Sequence, residues 1–196
     1  ELLVGGGAVP DSSYLWWAIR PAARYPTLEL RICDTCTRLA DSIAIASLYR
    51  CLVRLLVRRP ELAPPWTPFT RRLIDENRWR AKRFGIDAEF IALDGGKPVP
   101  CRDAVAQLVS AGEEDAEALR CTKRLGRVRA LMAEGTSAHL QLAIYRGRRA
   151  RGDAPLEALR YVVDWLVAAT ITEPDATPEA DATGIGSPAP TLAPGV

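Results

Sequence analysis

The chain has 196 residues, of which 48% are hydrophobic and 26% charged, a composition that suits one globular domain with a sizeable core. Its formal net charge is +2 with acids and bases interspersed, so nucleic acid and membrane surfaces have little electrostatic support as partners. No uncharged apolar run reaches the roughly 20 residues of a membrane span, which argues against an integral membrane protein.

The five cysteines are odd in number and irregularly spaced, which favours reduced thiols over a disulfide framework. We therefore predict a cytoplasmic protein, and homo-oligomerisation is left open. The sequence starts at Glu1 without an initiator methionine or a signal-peptide pattern. We expect it to be a fragment of a longer protein.

Two strands are predicted near the start of the chain, over residues 13–20 and 28–33, separated by the proline-containing loop PAARYPT. We expect them to be antiparallel neighbours. In the second strand, Glu29 and Arg31 share one face because strand side chains alternate with period two. The other face carries Leu28, Leu30 and Ile32.

Glu29 and Arg31 are the strongest candidates for chemistry. Mg²⁺ prefers carboxylate oxygens, and the arginine fork matches phosphoryl oxygens, so the pair suits a site for metal-bridged phosphate. Periodicity alone leaves an alternative open, namely a surface ion pair across neighbouring strands.

A long helix is predicted over residues 37–58, with Thr37 or Asp41 as its cap, and it should lie deep in the core. Its predicted apolar stripe is Leu39, Ile43, Ala46, Tyr49, Leu52, Val53 and Leu56.

A second helix over residues 69–84 follows four prolines and ends at Gly85. Its polar segment places Asn77 and Arg78 within reach of a ligand. The alternative is a solvated face with Trp79 and Phe84 packed inward.

The remaining pattern predicts a hairpin around residues 94–96 and a helix-rich C-terminal portion. Its helices are expected over residues 102–111, 115–133 and 137–149, with a fourth from Pro155. Residues 173–196 are rich in proline and alanine and have little apolar content. We predict that they form a disordered tail.

Cys33 and Cys36 form a Cys-x-x-Cys pair between a strand and a helix, where the helix N-terminus should lower a thiol pKa. A redox or metal-binding module is therefore the alternative function. Zinc would need two more ligands, and the chain has only one histidine, His139, and no second close cysteine pair. We favour two packed thiols, and we interpret His139 as structural or surface-exposed.

Three ordered motifs, SSYLWWAIRPAARYPTLELRICD, ENRWRAKRFG and GTSAHLQL, resemble the C-terminal half of the carboxylate–amine ligases called type 2 glutamate–cysteine ligases. The resemblance spans about residues 10–171. It implies an α+β, glutamine-synthetase-like catalytic fold in which antiparallel strands carry the active site. Residues 1–172 would then be the C-terminal part of a ligase domain.

The resemblance also implies an ATP-dependent reaction, in which the carboxylate of glutamate is phosphorylated and the amine of cysteine displaces phosphate. Glu29 matches the metal-binding glutamate of the family, and Arg31 matches its arginine at the ATP γ-phosphate. Arg20, Asn77 and Arg78 fit substrate or ATP contacts, and the implied cofactors are ATP and Mg²⁺. The aliphatic face of the second strand would pack on the residue 37–58 helix.

The chain departs from the family pattern in two places. The position of Ala18 is often acidic in such proteins, and the N-terminal acidic motif that helps to bind metal has no counterpart here. We expect the chain to begin partway through the enzyme and to lack turnover by itself.

Overall fold

The computed structural model describes residues 2–22, 24–63, 65–93 and 95–171, so the predicted tail over residues 173–196 lies outside the described residues. The described helices are α1 Leu2–Gly5, α2 Leu39–Arg58, α3 Pro68–Phe84, α4 Cys101–Ala111, α5 Glu113–Ala118, α6 Thr122–Glu134, α7 Ser137–Ala150 and α8 Pro155–Ile171. The described strands are β1 Ile19–Pro21, β2 Leu28–Leu30, β3 Glu89–Phe90 and β4 Val99–Pro100. The described chain is thus mostly helical with two small antiparallel sheets, which confirms the α+β class.

Strands β1 and β2 form an antiparallel ladder, as predicted. Arg20 lies directly opposite Glu29, and Ile19 lies opposite Leu30. The ladder is shorter than the apolar alternation suggests, because the segment Ser12–Tyr14 forms a 3₁₀ turn. The carboxylate of Asp11 accepts a hydrogen bond from the Ser13 N–H at 2.7 Å and so caps this turn.

The aliphatic face of β2 is not buried on α2, so that prediction was wrong. Leu28 and Ile32 keep 43% and 46% of their surface exposed. From α2, the Tyr49 hydroxyl donates a long hydrogen bond of 3.5 Å to the Leu28 carbonyl. A two-stranded ribbon offers too little apolar area to form a layer of the core by itself.

Helix α2 lies in the core as predicted, but with a different face turned inward. Leu39 and Leu56 of the predicted stripe are 55% and 46% exposed. The buried positions are instead Asp41, Ala44, Ser47, Cys51 and Leu55, spaced three or four residues apart. Small side chains on this face let the neighbouring helices approach closely.

The N-terminus of α2 also differs from the sequence-based prediction. Its cap position is Arg38, whose side chain makes no capping hydrogen bond. Thr37 instead bonds the Ser137 hydroxyl at 2.7 Å, and Asp41 accepts a bond from Arg127 Nε at 2.7 Å. Two side chains that local sequence favours as caps are therefore used for tertiary contacts.

The main core is built by α2, α4, α5 and α6. Its buried members are Ala44, Cys51, Val109, Ala116, Cys121, Leu125 and Val128. The stretch predicted as one helix over residues 115–133 is two helices, α5 and α6, which are separated at Leu119–Cys121. Arg120 has φ +53° at this break, a conformation that the continuous helical pattern does not signal.

Helix α3 matches its prediction in length and ends at Gly85, whose φ is +61°. The inward packing expected of Trp79 and Phe84 is wrong, since they are 54% and 48% exposed. Their rings contact each other edge-on, with centroids 5.9 Å apart. Helix α3 packs against β3, which pairs antiparallel with β4, and α7 packs against α8. Asp94 of the predicted hairpin turn lies outside the described residues.

Candidate active site

The β1–β2 ladder brings Arg20 and Glu29 together. Arg20 Nη2 donates to both carboxylate oxygens of Glu29, at 3.0 and 2.8 Å, while Nη1 donates to the carbonyls of Ser13 and Leu15 at 2.6 and 3.2 Å. Only 12% of the Arg20 side chain is exposed. Because both terminal nitrogens are engaged, this guanidinium fixes the position of the carboxylate.

Arg31 contacts the same carboxylate from the neighbouring position on the strand face. Its Nη1 donates to Glu29 Oε2 at 3.1 Å, and its guanidinium lies 4.9 Å from the centroid of the Trp16 ring, a cation–π contact. The Arg31 N–H donates to the Ala18 carbonyl at 2.8 Å, which holds the backbone beside β1. The other guanidinium N–H groups of Arg31 have no partner among the described residues, so they are available to an anion.

The two arginines keep Glu29 ionised. The hydrogen bond from Arg20, followed by that from Arg31, lowers the pKa of the Glu29 carboxyl below its ordinary value. The cluster carries two positive charges for one negative charge. This excess favours a negatively charged ligand beside Glu29.

An open cleft of about 450 Å³ adjoins the Arg20–Glu29 pair. Its lining residues are Asp11, Ser13, Arg20, Ala22, Arg24, Tyr25 and Glu29. The Asp11 carboxyl has its pKa lowered by hydrogen bonds from Ser13, so it is a second ionised carboxylate in this cleft. The volume and mixed charge of the cleft suit a small polar ligand.

The described residues contain no group of three or more His, Cys, Asp or Glu side chains that could enclose a metal ion. Mg²⁺ does not require such a cage, because it commonly uses one or two carboxylates together with water and substrate phosphates. Glu29 can therefore supply a metal ligand only in combination with oxygens from a bound substrate. Its two arginine partners would disfavour a cation that arrives without phosphate.

Asn77 and Arg78 lie on α3 and not on the ladder that carries Glu29. Asn77 Nδ2 donates to the Ile91 carbonyl at 2.9 Å, and its Oδ1 accepts the Ile91 N–H at 2.8 Å. This paired bond attaches α3 to the segment that follows β3. Arg78 is exposed and has no hydrogen-bond or ion-pair partner among the described residues. The predicted ligand contacts of both residues stay predictions.

Cys33 and Cys36 do not have the environment of a reactive dithiol. Both thiols are free, and burial, followed by the proximity of Cys36, raises the pKa of Cys33. The expected lowering of that pKa was wrong. Helix α2 begins only at Leu39, so its N-terminus does not adjoin the pair closely.

His139 has the structural role that the sequence favoured. Its Nδ1 accepts the Thr136 N–H at 3.2 Å, and its Nε2 lies 3.0 Å from Asp87 Oδ2. With Nδ1 as an acceptor, the neutral ring carries its proton on Nε2 and donates to Asp87. The imidazole thereby caps α7 and joins it to the turn after α3.

Sequence reasoning missed four contributors to the site: the Ser13 carbonyl, the Leu15 carbonyl, the Trp16 ring and the Asp11 carboxylate. Asp11 followed by two serines has the pattern of a capped turn, which could have indicated its position. The two carbonyls carry no side-chain signal. Only the turn geometry directs them toward Arg20.

Comparisons with known proteins define the family. Residues 4–160 match the family described as glutamate-cysteine ligase family 2 (GCS2). A Rhodospirillum rubrum protein provisionally named glutamate–cysteine ligase 2 is 43% identical over 171 residues, which cover 87% of this chain and 44% of the relative. A protein of Jannaschia sp. (strain CCS1) with the same provisional name is 42% identical over 85% of this chain and 44% of its own length.

A third relative, from Bradyrhizobium diazoefficiens and of the same provisional name, is 42% identical over 85% of this chain and 37% of its own length. The chain therefore belongs to glutamate-cysteine ligase family 2, and the resemblance identified from its motifs is confirmed. It spans less than half the length of these curated relatives. The described residues include no helix that is both long and apolar enough to cross a membrane.

Proposed function

We propose that this chain is the C-terminal part of an ATP-dependent carboxylate–amine ligase of the glutamate–cysteine ligase type. The observation that carries the proposal is the Arg20–Glu29–Arg31 cluster, which lies on a strand ladder beside a cleft in a chain of this family. The cluster combines an ionised carboxylate with an excess of guanidinium charge. Phosphoryl transfer from a magnesium nucleotide requires these two kinds of group.

Arg31 is the proposed contact of the ATP γ-phosphate. It is tethered on one side by Glu29 and by Trp16, and its other N–H groups have no partner among the described residues. A planar guanidinium held in this way can donate to phosphoryl oxygens without first losing much side-chain freedom. Arg20 is the proposed positioning residue, because it holds Glu29 while both of its terminal nitrogens are already engaged.

Glu29 is the proposed protein ligand of Mg²⁺, which would offset the charge of the phosphates during transfer. The charge balance of the cluster supports binding of the metal together with the nucleotide. The phosphates would offset the two arginines and supply further oxygen ligands. Mg²⁺ alone should bind this chain weakly.

The proposed reaction has two steps. A carboxylate oxygen of glutamate bonds to the γ-phosphorus of ATP as the bond to ADP breaks, which gives an acyl phosphate. The amine of cysteine then bonds to the acyl carbon, phosphate leaves, and the nitrogen loses a proton to form the amide. The residues of this chain would bind phosphate, fix the positions of the charged side chains and exclude alternative orientations of the nucleotide.

We further propose that the β1–β2 ladder belongs to a glutamine-synthetase-like sheet in the complete ligase domain, over residues 1–172 of this chain. Leu28 on β2 and Ile32, two residues after its end, are only half covered, as expected of a sheet whose other layer lies outside the described residues. A cytoplasmic location is proposed from the free thiols of all five cysteines.

The test is a chimera in which this chain replaces the matched segment of the Rhodospirillum rubrum relative. Phosphate release is measured with ATP, Mg²⁺, glutamate and cysteine, and the isolated chain is assayed in parallel. We expect turnover by the chimera and none by the chain alone. In the chimera, Glu29→Gln and Arg31→Lys should each lower kcat about 10²-fold.

Arg59 and Glu61 provide a matched control. They too are an arginine and a glutamate two residues apart, joined at 3.0 Å, but their side chains are 51% and 63% exposed. Glu61→Gln and Arg59→Lys should leave kcat unchanged. Equal turnover in the Glu29, Arg31 and control variants would reduce the cluster to a surface ion pair and contradict the proposal.

A further inference from the structure

A second cleft, of about 600 Å³, lies at the start of α6 and shares no lining residue with the cleft beside Glu29. Its lining residues are Ala40, Arg120, Cys121, Thr122, Lys123, Arg124 and Arg127. Four of the seven are cationic and none is acidic. We call it the basic cleft.

Three of these cations are not neutralised by any residue that the structure describes. The side chains of Arg120, Lys123 and Arg124 have no hydrogen-bond or ion-pair partner among the described residues. The arginines that border the helical core behave differently, since Arg54 and Arg58 both pair with Asp115. Three uncompensated like charges within five residues repel one another, and a bound anion would relieve that repulsion.

The side chain of Arg127 is held in one position at the edge of the basic cleft. Its Nε donates to the buried Asp41 at 2.7 Å and its Nη1 donates to Glu134 at 3.1 Å, while Nη2 has no partner among the described residues. Only 24% of its side chain is exposed, which leaves it little freedom. The cleft therefore combines one immobilised guanidinium with three adaptable cations.

We propose that the basic cleft binds a small molecule bearing two or more linked phosphates, at a site separate from the proposed active site. Several unpaired cations call for a ligand with more than one negative charge, and arginine forks match phosphate oxygens. The volume lies within the usual range for small-molecule sites. The net charge of the chain is only +2, so a general attraction for polyanionic polymers has no comparable support.

The test is isothermal titration of inorganic pyrophosphate into the 196-residue chain without Mg²⁺, so it does not depend on ligase activity. Saturable binding that depends on the cations of the basic cleft is expected. Lys123→Gln/Arg124→Gln should weaken it at least about tenfold, because each loses a charge-assisted hydrogen bond. Lys123→Arg should retain binding, and thermal melts check that each variant is folded.

The matched control is Arg72→Gln/Arg146→Gln, which removes the same charge from two exposed arginines outside the cleft. Binding by this variant should equal that of the parent chain. Equal weakening in both double variants would show non-specific attraction and overturn the site, as would absence of saturable binding. An Arg24→Gln/Arg31→Gln variant removes two of the cations beside Glu29. The binding that Lys123→Gln/Arg124→Gln weakens should persist in this variant, and its loss there would place the pyrophosphate in the cleft beside Glu29 and overturn the proposal.

Two further ligands identify the chemistry. Malonate, a dianion without phosphorus, should bind at least tenfold more weakly than pyrophosphate, and equal binding would overturn the phosphate assignment. ATP distinguishes the two sources of linked phosphates. Binding tighter than that of pyrophosphate, and lost in Lys123→Gln/Arg124→Gln, would support a nucleotide ligand, whereas equal binding would support recognition of the phosphates alone.

Discussion

Arg58 Nη2 donates to Oδ2 of the fully buried Asp115 at 3.1 Å, which joins helix α2 to helix α5 across 57 residues of sequence. Arg54 donates to the other carboxylate oxygen, Oδ1. A buried carboxylate is tolerated here because both of its oxygens receive charged donors. This relationship fixes how the first long helix meets the C-terminal helices.

We expect Asp115→Asn to lower the free energy of unfolding by about 2 kcal/mol, because one of the two acceptor oxygens becomes an NH2 donor that faces an arginine and the negative charge is lost. The control is Glu114→Gln, which removes a neighbouring partner of Arg58 whose own side chain is 67% exposed. The control substitution should lower the free energy of unfolding by about 0 to 1 kcal/mol. Urea unfolding of the chain measures both, and equal costs would contradict the special role of the buried carboxylate.

The Asp115 carboxylate also makes the free energy of unfolding depend on pH. The hydrogen bond from Arg58, followed by that from Arg54, lowers the folded-state pKa of Asp115 below its ordinary value of 3.8. Its stabilising contribution is therefore present above pH 3.8 and is lost as the pH falls through the folded-state pKa. Asp115→Asn should show a smaller loss of stability between pH 5 and pH 2 in thermal melts, and an unchanged acid profile would contradict this assignment.

Arg20 should act by positioning Glu29. In the chimera, Arg20→Lys should lower kcat about 10²-fold, because one ammonium group cannot hold the Ser13 and Leu15 carbonyls and the carboxylate together. Arg24→Lys is the matched control, since Arg24 lines the same cleft without a hydrogen-bond partner among the described residues. Phosphate-release kinetics compare the two variants, and an equal effect of both would contradict a specific positioning role of Arg20.

Asn77 is expected to matter for stability through its paired bond with the Ile91 backbone. Asn77→Ala should lower the free energy of unfolding by about 1 to 3 kcal/mol, because two backbone groups lose their partner. Arg78→Ala, one residue along α3 and exposed, should change it by less than about 0.5 kcal/mol. If Asn77→Ala leaves urea unfolding unchanged, the paired bond is not structural.

Substitution by alanine should have opposite effects on stability at two glycines, one inside α6 and one directly after it. Gly135 has φ +102°, and an added Cβ would lie 3.1 Å from His139 Cβ, so Gly135→Ala should destabilise by about 1 to 3 kcal/mol. Gly126 lies within the helix with open space around it, so Gly126→Ala should stabilise by about 0.5 to 1 kcal/mol. Denaturant unfolding gives both signs, and a gain at Gly135 would contradict the strain argument.

The reactivity of each thiol toward a reagent should depend on its exposure. Cys33 is exposed, whereas Cys51 and Cys121 are buried, with sulfur atoms 3.6 Å apart. Burial, followed by the Cys121 bond, raises the pKa of Cys51 to about 11, so its thiolate is scarce at neutral pH. A thiol-specific reagent at pH 8 should label Cys33 in the native chain, although its raised pKa slows the reaction, and should label Cys51 only on unfolding. Rapid native labelling of Cys51, located by mass spectrometry of peptides, would contradict this packing.

Local sequence determined the parts of the fold that depend on short-range chemistry. Proline and glycine placed the start and end of α3, and side-chain alternation placed Glu29 and Arg31 on one face of a strand. The three motifs identified the family, which the comparisons confirmed. The helix ends and the strand face depend on residue type and short-range spacing, whereas the family assignment depends on the order of three motifs along the chain.

The tertiary structure decided the features in which distant groups compete for the same residue. Asp41 and Thr37 have side chains suited to capping α2, yet Arg127 and Ser137, from later helices, are their partners. The inward face of α2 was misassigned for the same reason. The face of α2 that contacts the neighbouring helices carries the small residues Ala44 and Cys51 instead of the predicted aliphatic stripe, because close approach of helices requires small side chains.

The candidate site also has one part that the sequence predicted and another that only the folded structure revealed. Sequence placed Glu29 and Arg31 together, since a strand aligns residues two apart. Only the folded ladder showed that Arg20 lies directly opposite Glu29 and is held by the Ser13 and Leu15 carbonyls. Every residue type contributes the same backbone carbonyl, so the sequence does not indicate which carbonyls accept side-chain hydrogen bonds. The three-dimensional packing of the turn decides where these carbonyls point.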